Sequence, residues 1–195
     1  MEFNGYAKYV FLVSFFLLLS SCFFNKGIVK KTFVRKNVDI SYIKKVAVLT
    51  FENHTKHETA NEIARDITIT EILAMDIFDV VGKSFVNAVI NEEVGDDENP
   101  VFDKVTLKRI SRKLHCNGLI LGSVDSYEDK RDGGYTYPVV TLTLRLIDGK
   151  TGMVLWQTSG TKTGYSISER LLGIKPKDIN ELTFDLIESL LSSLK

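Results

Sequence analysis

The sequence predicts an α/β (α+β) chain: a single domain with a mixed β-sheet and helices packed on it, in the order β-α-β-α-α-β-β-β-α. Three observations predict it. Apolar residues recur at helical spacing from Glu58 to Leu114, the period changes to two from Gly118, and helical spacing returns at the C-terminus. The 195 residues are 44% hydrophobic and 26% charged, a globular balance with enough chain for one ordinary core.

The body opens with "KKVAVLTFEN", a short apolar run ending in a polar loop, which reads as a strand. From Glu58 to Ile77, residues Ala60, Ile63, Ala64, Ile67, Ala74 and Ile77 form one helical face. "FDVVGK" is a brief second strand. Ser84 has the chemistry to cap a helix running to about Glu93 that buries Val86, Val89 and Ile90. "GDDENP" is an acidic loop, and Leu107, Ile110 and Leu114 mark a further helix, closed near Gly118.

"GLILGSVDSYED" and "PVVTLTLRLIDG" then read as long strands. In the second, Val140, Leu142, Leu144 and Leu146 face one side, with Thr141, Thr143 and Arg145 on the other. "DGKTG" turns the chain into the returning strand "MVLWQTSGT", where Trp156 shares a face with Val154. Ile179, Leu182, Leu186, Ile187, Leu190 and Leu191 make the last helix amphipathic.

Charge is unevenly placed beneath a formal net of +0. Residues 25–45 carry seven basic groups against Asp39, whereas Val46–Lys195 carry 17 basic and 23 acidic groups. A basic tether suits an anionic lipid surface, and an acidic body disfavours nucleic acid. Residues 25–42 have little periodicity and read as that tether, with "TFVRKNVDISYI" offering an edge strand or arm as the alternative.

The most apolar stretch is "YVFLVSFFLLLSSCFF", Tyr9 to Phe24. Its uninterrupted part, Val10 to Leu19, falls short of the roughly 20 residues a spanning helix needs, and small residues follow at Ser20 and Ser21. That is the pattern of a cleaved secretory signal.

Chemistry-bearing clusters are sparse. His54 and His57 are spaced three apart near Glu52 and Glu58, without a third ligand at known range, and read as solvated loop residues. Asp96, Asp97 and Glu98 lack the alternation of a calcium loop. Asp125, Glu128, Asp129 and Asp132 carry no acid–base pairing signal. Cys116 stands apart from any base-and-orienter set and reads as a small buried thiol. No phosphate loop or nucleophile elbow is present. The expectation is a protein that is not an enzyme and needs no cofactor or metal.

Two resemblances extend this reading. "LSSC", Leu19 to Cys22, resembles the lipobox of bacterial lipoproteins. It implies a signal peptide over residues 1–21, cleavage before Cys22, and palmitate-type acylation of that cysteine. Phe23 rather than aspartate after the cysteine implies sorting to the inner leaflet of the outer membrane, facing the periplasm. Several acyl chains hold a protein on a bilayer far better than one.

"VAVLTFEN", "FDVV", "RISRKLHCNGLILGSV" and "LTLRLIDGKTGMVLWQTSG", in that order, resemble the lipoprotein group that includes CsgG, LpoB, FlgO and PelC. Within it, "SGTKTGYS" followed by an amphipathic helix is most similar to the PelC type, with Tyr165 where that type tends to have tryptophan. The resemblance implies domains 1–21 (signal), 22–42 (lipidated N-terminus and tether) and 43–195 (periplasmic domain). It implies a homo-oligomeric ring whose acidic surface guides a cationic polysaccharide toward an export barrel. The alternatives are an LpoB-like regulator of a peptidoglycan synthase and a FlgO-like flagellar lipoprotein. Cys22 is the expected lipidation site, and Phe23, Phe24, Trp156 and Tyr165 are candidate membrane or subunit contacts, although core packing is the default for Trp156.

Overall fold

The structure is a computed structural model and describes residues 27–95, 102–164 and 177–194. A seven-stranded mixed sheet is built from β1 (Ile28–Val34), β2 (Lys45–Val48), β3 (Glu52–Asn53), β4 (Asp79–Val80), β5 (Gly118–Asp132), β6 (Tyr135–Asp148) and β7 (Val154–Thr163). Its order is β1-β7-β6-β5-β2-β4, with β3 pairing β5 beyond the end of β2. β1, β7, β6 and β5 are antiparallel, whereas β2, β3 and β4 run parallel to the neighbours they pair with. The helices are α1 (Ala60–Ala74), α2 (Lys83–Val94), α3 (Lys104–Lys113) and α4 (Ile179–Leu191), followed by a 3₁₀ turn at Ser192–Leu194.

The predicted mixed sheet with packed helices is therefore what forms, with two strands added. β1 comes from the stretch read as tether: Ile28–Val34 pairs residue by residue with Lys162–Trp156. Its lysines suppressed the period-two signal, because Lys30 and Lys31 stand on opposite faces of an edge strand where charge is tolerated. The tiny β3 is held by the β5 ladder rather than by its own propensity.

The sheet separates two apolar layers. On one face α1 and α4 cover Val140, Leu142, Leu144, Leu146 and Trp156, together with Val46, Val48 and Ile120. On the other, α2 and α3 cover Ala47, Leu49, Leu119 and Ile147. The β6 alternation follows the predicted phase: Val140, Leu142, Leu144 and Leu146 are all fully buried, and the intervening Thr141, Thr143 and Arg145 are half-buried.

Several local expectations change. Gly82, not Ser84, is the N-cap of α2, and no side-chain cap bond forms there. α1 ends at Ala74, which is exposed, because Asp76 turns the backbone into the left-handed region (φ 53); Ile72 takes the core position instead. α3 ends before Gly118: its cap is Leu114, and His115 (φ 50) reverses the chain. The start of α3 is fixed by Asp103, which accepts from the Thr106 amide at 2.7 Å; this backbone bond holds its carboxyl below the usual range.

Two β-bulges set the phase of the long strands. One lies between Val124 and Ser126 of β5, so Val124 and Tyr127, three apart, both reach the α1–α4 layer. The other inserts Leu155 between Val154 and Trp156, which places those residues in opposite layers. The expected shared face of Trp156 and Val154 is thus removed by one extra residue.

Candidate interaction surface

The face of β1-β7-β6-β5 away from α1 and α4 has no helix over most of its area among the described residues; the α2–α3 layer reaches β2, the start of β5 and, at Ile147 and Val154, the adjoining ends of β6 and β7. Strand register arranges this open face in three cross-strand rows. Phe33, Gln157, Arg145 and Leu121 form the first; Lys31, Ser159, Thr143 and Ser123 the second; Val29, Thr161, Thr141 and Ser126 the third. Strand spacing makes the patch about 20 Å by 20 Å.

Hydroxyls dominate its centre and bond to one another. Thr141 and Thr161 lie 3.0 Å apart through their Oγ1 atoms, as do Thr143 Oγ1 and Ser159 Oγ. Thr143 and Ser123 both donate to Asp125, each at 3.2 Å, and His54 Nδ1 is 3.0 Å from the same carboxylate. His54 Nε2 lies 3.4 Å from Glu52. The network consumes much of the hydrogen-bonding capacity of these side chains, so the face presents a pre-ordered polar surface.

At its margin the face turns apolar. Val29 is 77% exposed and Phe33 49%, on an edge strand whose outer backbone groups have no strand beside them among the described residues. Sequence reading did not single out Val29, and reached Phe33 only within the edge-strand alternative for "TFVRKNVDISYI", because the doublets of "IVKKTFV" do not alternate.

The predicted sites fall as follows. Cys22, Phe23, Phe24 and Tyr165 lie outside the described residues, as do Asp96, Asp97 and Glu98. Trp156 is fully buried beneath the C-terminal turn and donates from Nε1 to Ser193 Oγ at 3.0 Å. It has no surface to offer a membrane or another subunit, and its role is packing. His54 and His57 do not converge: His57 packs edge-on against Tyr127 with ring centroids 5.0 Å apart. Cys116 is half-buried, and burial pushes its thiol up, away from the reactive thiolate.

The buried Arg65 was not anticipated. Only 1% exposed, it donates from Nε (3.1 Å) and Nη2 (2.9 Å) to the Val48 carbonyl at the end of β2. Burial lowers its pKa against the opposing pull of Glu62. Its work is to tie α1 to the point where β2 leaves the sheet.

The class defined is a helix-backed mixed sheet with a long antiparallel meander and one open polar face. No family model and no curated protein matches the chain. Solved structures do. PelC from Paraburkholderia phytofirmans, solved as a dodecamer, superposes with a TM-score of 0.59 at 22% identity, covering 86% of this chain and 96% of that one. Lipoprotein GNA1162 from Neisseria meningitidis gives 0.51 at 13% identity, covering 67% and 91%. The C-terminal domain of LpoB from Escherichia coli gives 0.45 at 16%, covering 64% and 86%. The chain is similar in fold to PelC and GNA1162, in keeping with the resemblance read from sequence. No helix among the described residues is long and apolar enough to cross a membrane.

Proposed function

We propose that this chain is a non-catalytic lipoprotein of the bacterial envelope, anchored through Cys22 in the inner leaflet of the outer membrane, that self-assembles to support exopolysaccharide export. The signal is residues 1–21, and the periplasmic domain includes β1 as well as residues 43–195. The observation that carries this reading is the place of β1 in the sheet. With Ile28 already paired, the six links from Cys22 reach at most about 20 Å. The folded body is held beside the membrane, where a pore-side assembly belongs, and too close to reach partners across a cell wall.

Self-association is supported by the exposed Val29 and Phe33 on an edge with no strand beside it among the described residues, and by the dodecameric state of the similar PelC. The open face alone, about 400 Å², is half of the roughly 800 Å² per partner of a standard interface, so β1 and its flanks must contribute. The excess of acidic over basic groups in the body, 23 to 17, is multiplied by assembly and attracts a cationic polymer without tight binding.

The test is made in cells. Cys22→Ser should abolish palmitate labelling and release the protein from membranes. Loss of the gene should retain polymer inside the cell envelope. Undiminished polymer secretion combined with a defect in peptidoglycan synthesis would overturn the export reading in favour of an LpoB-like regulator.

A further inference from the structure

At the end of the sheet opposite Gly27, a cleft of about 590 Å³ opens between α3, the β6–β7 turn and the segment before β2. Its lining includes Lys108, Arg112, His115 and Lys150, with Tyr42 and Asn117. We propose that this cleft binds a phosphate-type oxyanion, in a body whose overall charge is negative.

The first argument is the gathering of cations on one concavity. Several cations elsewhere have a carboxylate beside them, as Lys83 has Glu62 and Asp66, Arg109 has Glu93, Lys113 has Glu92 and Glu93, and Lys162 has Asp185. Around the cleft, Lys108, Lys150 and His115 have no carboxylate in ion-pair range among the described residues, and Arg112 donates to the Lys108 carbonyl at 3.4 Å. Three permanent cations and an imidazole thus line one concavity with Asp148 as its one carboxylate, and a guanidinium fork is shaped for bidentate oxyanion contact.

The second argument concerns the one carboxylate there. Asp148 accepts from the Lys150 amide at 3.3 Å, from the Thr151 amide at 3.0 Å and from the Thr151 hydroxyl, and Tyr42 bonds to it as well. Its acceptor capacity is turned into the loop. It fixes the β6–β7 turn, and with it Lys150, and stays off the other cations.

Position separates this cleft from the anchor. β7 runs ten residues, about 33 Å, from the cleft end to the end where β1 begins. A chain anchored before Gly27 carries the cleft on its far side, facing away from its own leaflet. The phosphate therefore belongs to a soluble or polymer-borne group, and a lipid headgroup is the competing source.

The experiment is equilibrium dialysis of the detergent-solubilised protein against radiolabelled inorganic phosphate, with Lys108→Gln/Arg112→Gln as the variant. Arg112 is exposed and Lys108 half-buried, and Lys108→Arg/Arg112→Lys serves as a charge-keeping control. One saturable site per chain is expected, weakened about ten-fold or more in the neutralised variant and retained in the control. A second arm floats the unlipidated form beginning at Phe23 with phosphatidylglycerol vesicles. Phosphate binding without flotation supports the soluble source; flotation lost in the neutralised variant supports the site with a lipid source. No saturable binding below about 10 mM, or binding indifferent to the neutralised pair, overturns the proposal.

Discussion

Trp156 is the chain's only tryptophan, which lets one residue be both the perturbed site and the probe. It is fully buried on the α4 face of β7, and its indole N–H is satisfied by Ser193 in the C-terminal turn. Trp156→Ala should cost about 3–5 kcal/mol through lost transfer energy and the cavity left behind. Ser193→Ala keeps the ring but strands its N–H, which should cost about 1–3 kcal/mol. Trp156→Phe/Ser193→Ala removes donor and acceptor together, so it should cost less than the sum of the two single changes. The assay is urea unfolding of the soluble form beginning at Phe23, followed by far-UV circular dichroism and by tryptophan emission where the ring remains. At about 2–4 °C per kcal/mol, the alanine variant should melt roughly 10 °C lower. An emission maximum typical of water-exposed indole, or a Trp156→Ala cost below about 1 kcal/mol, would refute the packing role and reinstate Trp156 as a surface contact.

Asp185 neutralises the buried Lys162 and is also reached by Lys177 at 2.6 Å. Asp185→Asn should destabilise by roughly 2–3 kcal/mol in urea unfolding, below the full cost for a buried pair because Asp185 is partly exposed. Burial works to raise the Asp185 carboxyl, but the two lysines outweigh it and leave it below the usual value; Asp148 is lowered by its turn bonds in the same way. Their contribution is therefore present above the unfolded carboxylate pKa and lost as pH falls through the lower folded values, so acid should lower the melting temperature. Glu71 behaves oppositely: burial, and then Glu188 across from it, raise its carboxyl. Glu71→Gln should stabilise by a few tenths of a kcal/mol at pH 7, with the gain disappearing as pH falls through the raised value; an equal gain at pH 4 would contradict this. Gly122→Ala would place its Cβ 2.8 Å from the buried Phe51 ring, and should cost about 1–3 kcal/mol without altering the secondary structure seen by circular dichroism.

The core was legible where one period ran undisturbed. Val140 to Leu146 and Leu182 to Leu191 each present a simple alternation or stripe, and both are buried as read. Legibility failed where one residue changes the phase. The Leu155 bulge moved Val154 to the opposite layer from Trp156, and the Asp125 bulge set Tyr127 into the core behind an apparently polar stretch. It also failed where a partner strand supplies the order. β1 and β3 have weak patterns of their own and exist because β7 and β5 offer them a ladder. The basic cleft was hidden because Lys108, Arg112, His115 and Lys150 are scattered among other charges in sequence; only the fold shows which cations have partners. Cys22 is read from a local motif alone and lies outside the described residues, so the fold neither adds to nor changes that reading.

The central claim is self-assembly beside the membrane, and the mass of the assembled particle tests it most directly. Light scattering coupled to size-exclusion chromatography on the delipidated protein should give one discrete, large oligomer, reduced to smaller species by Val29→Asp/Phe33→Asp. A monomer persisting at high concentration would contradict the account.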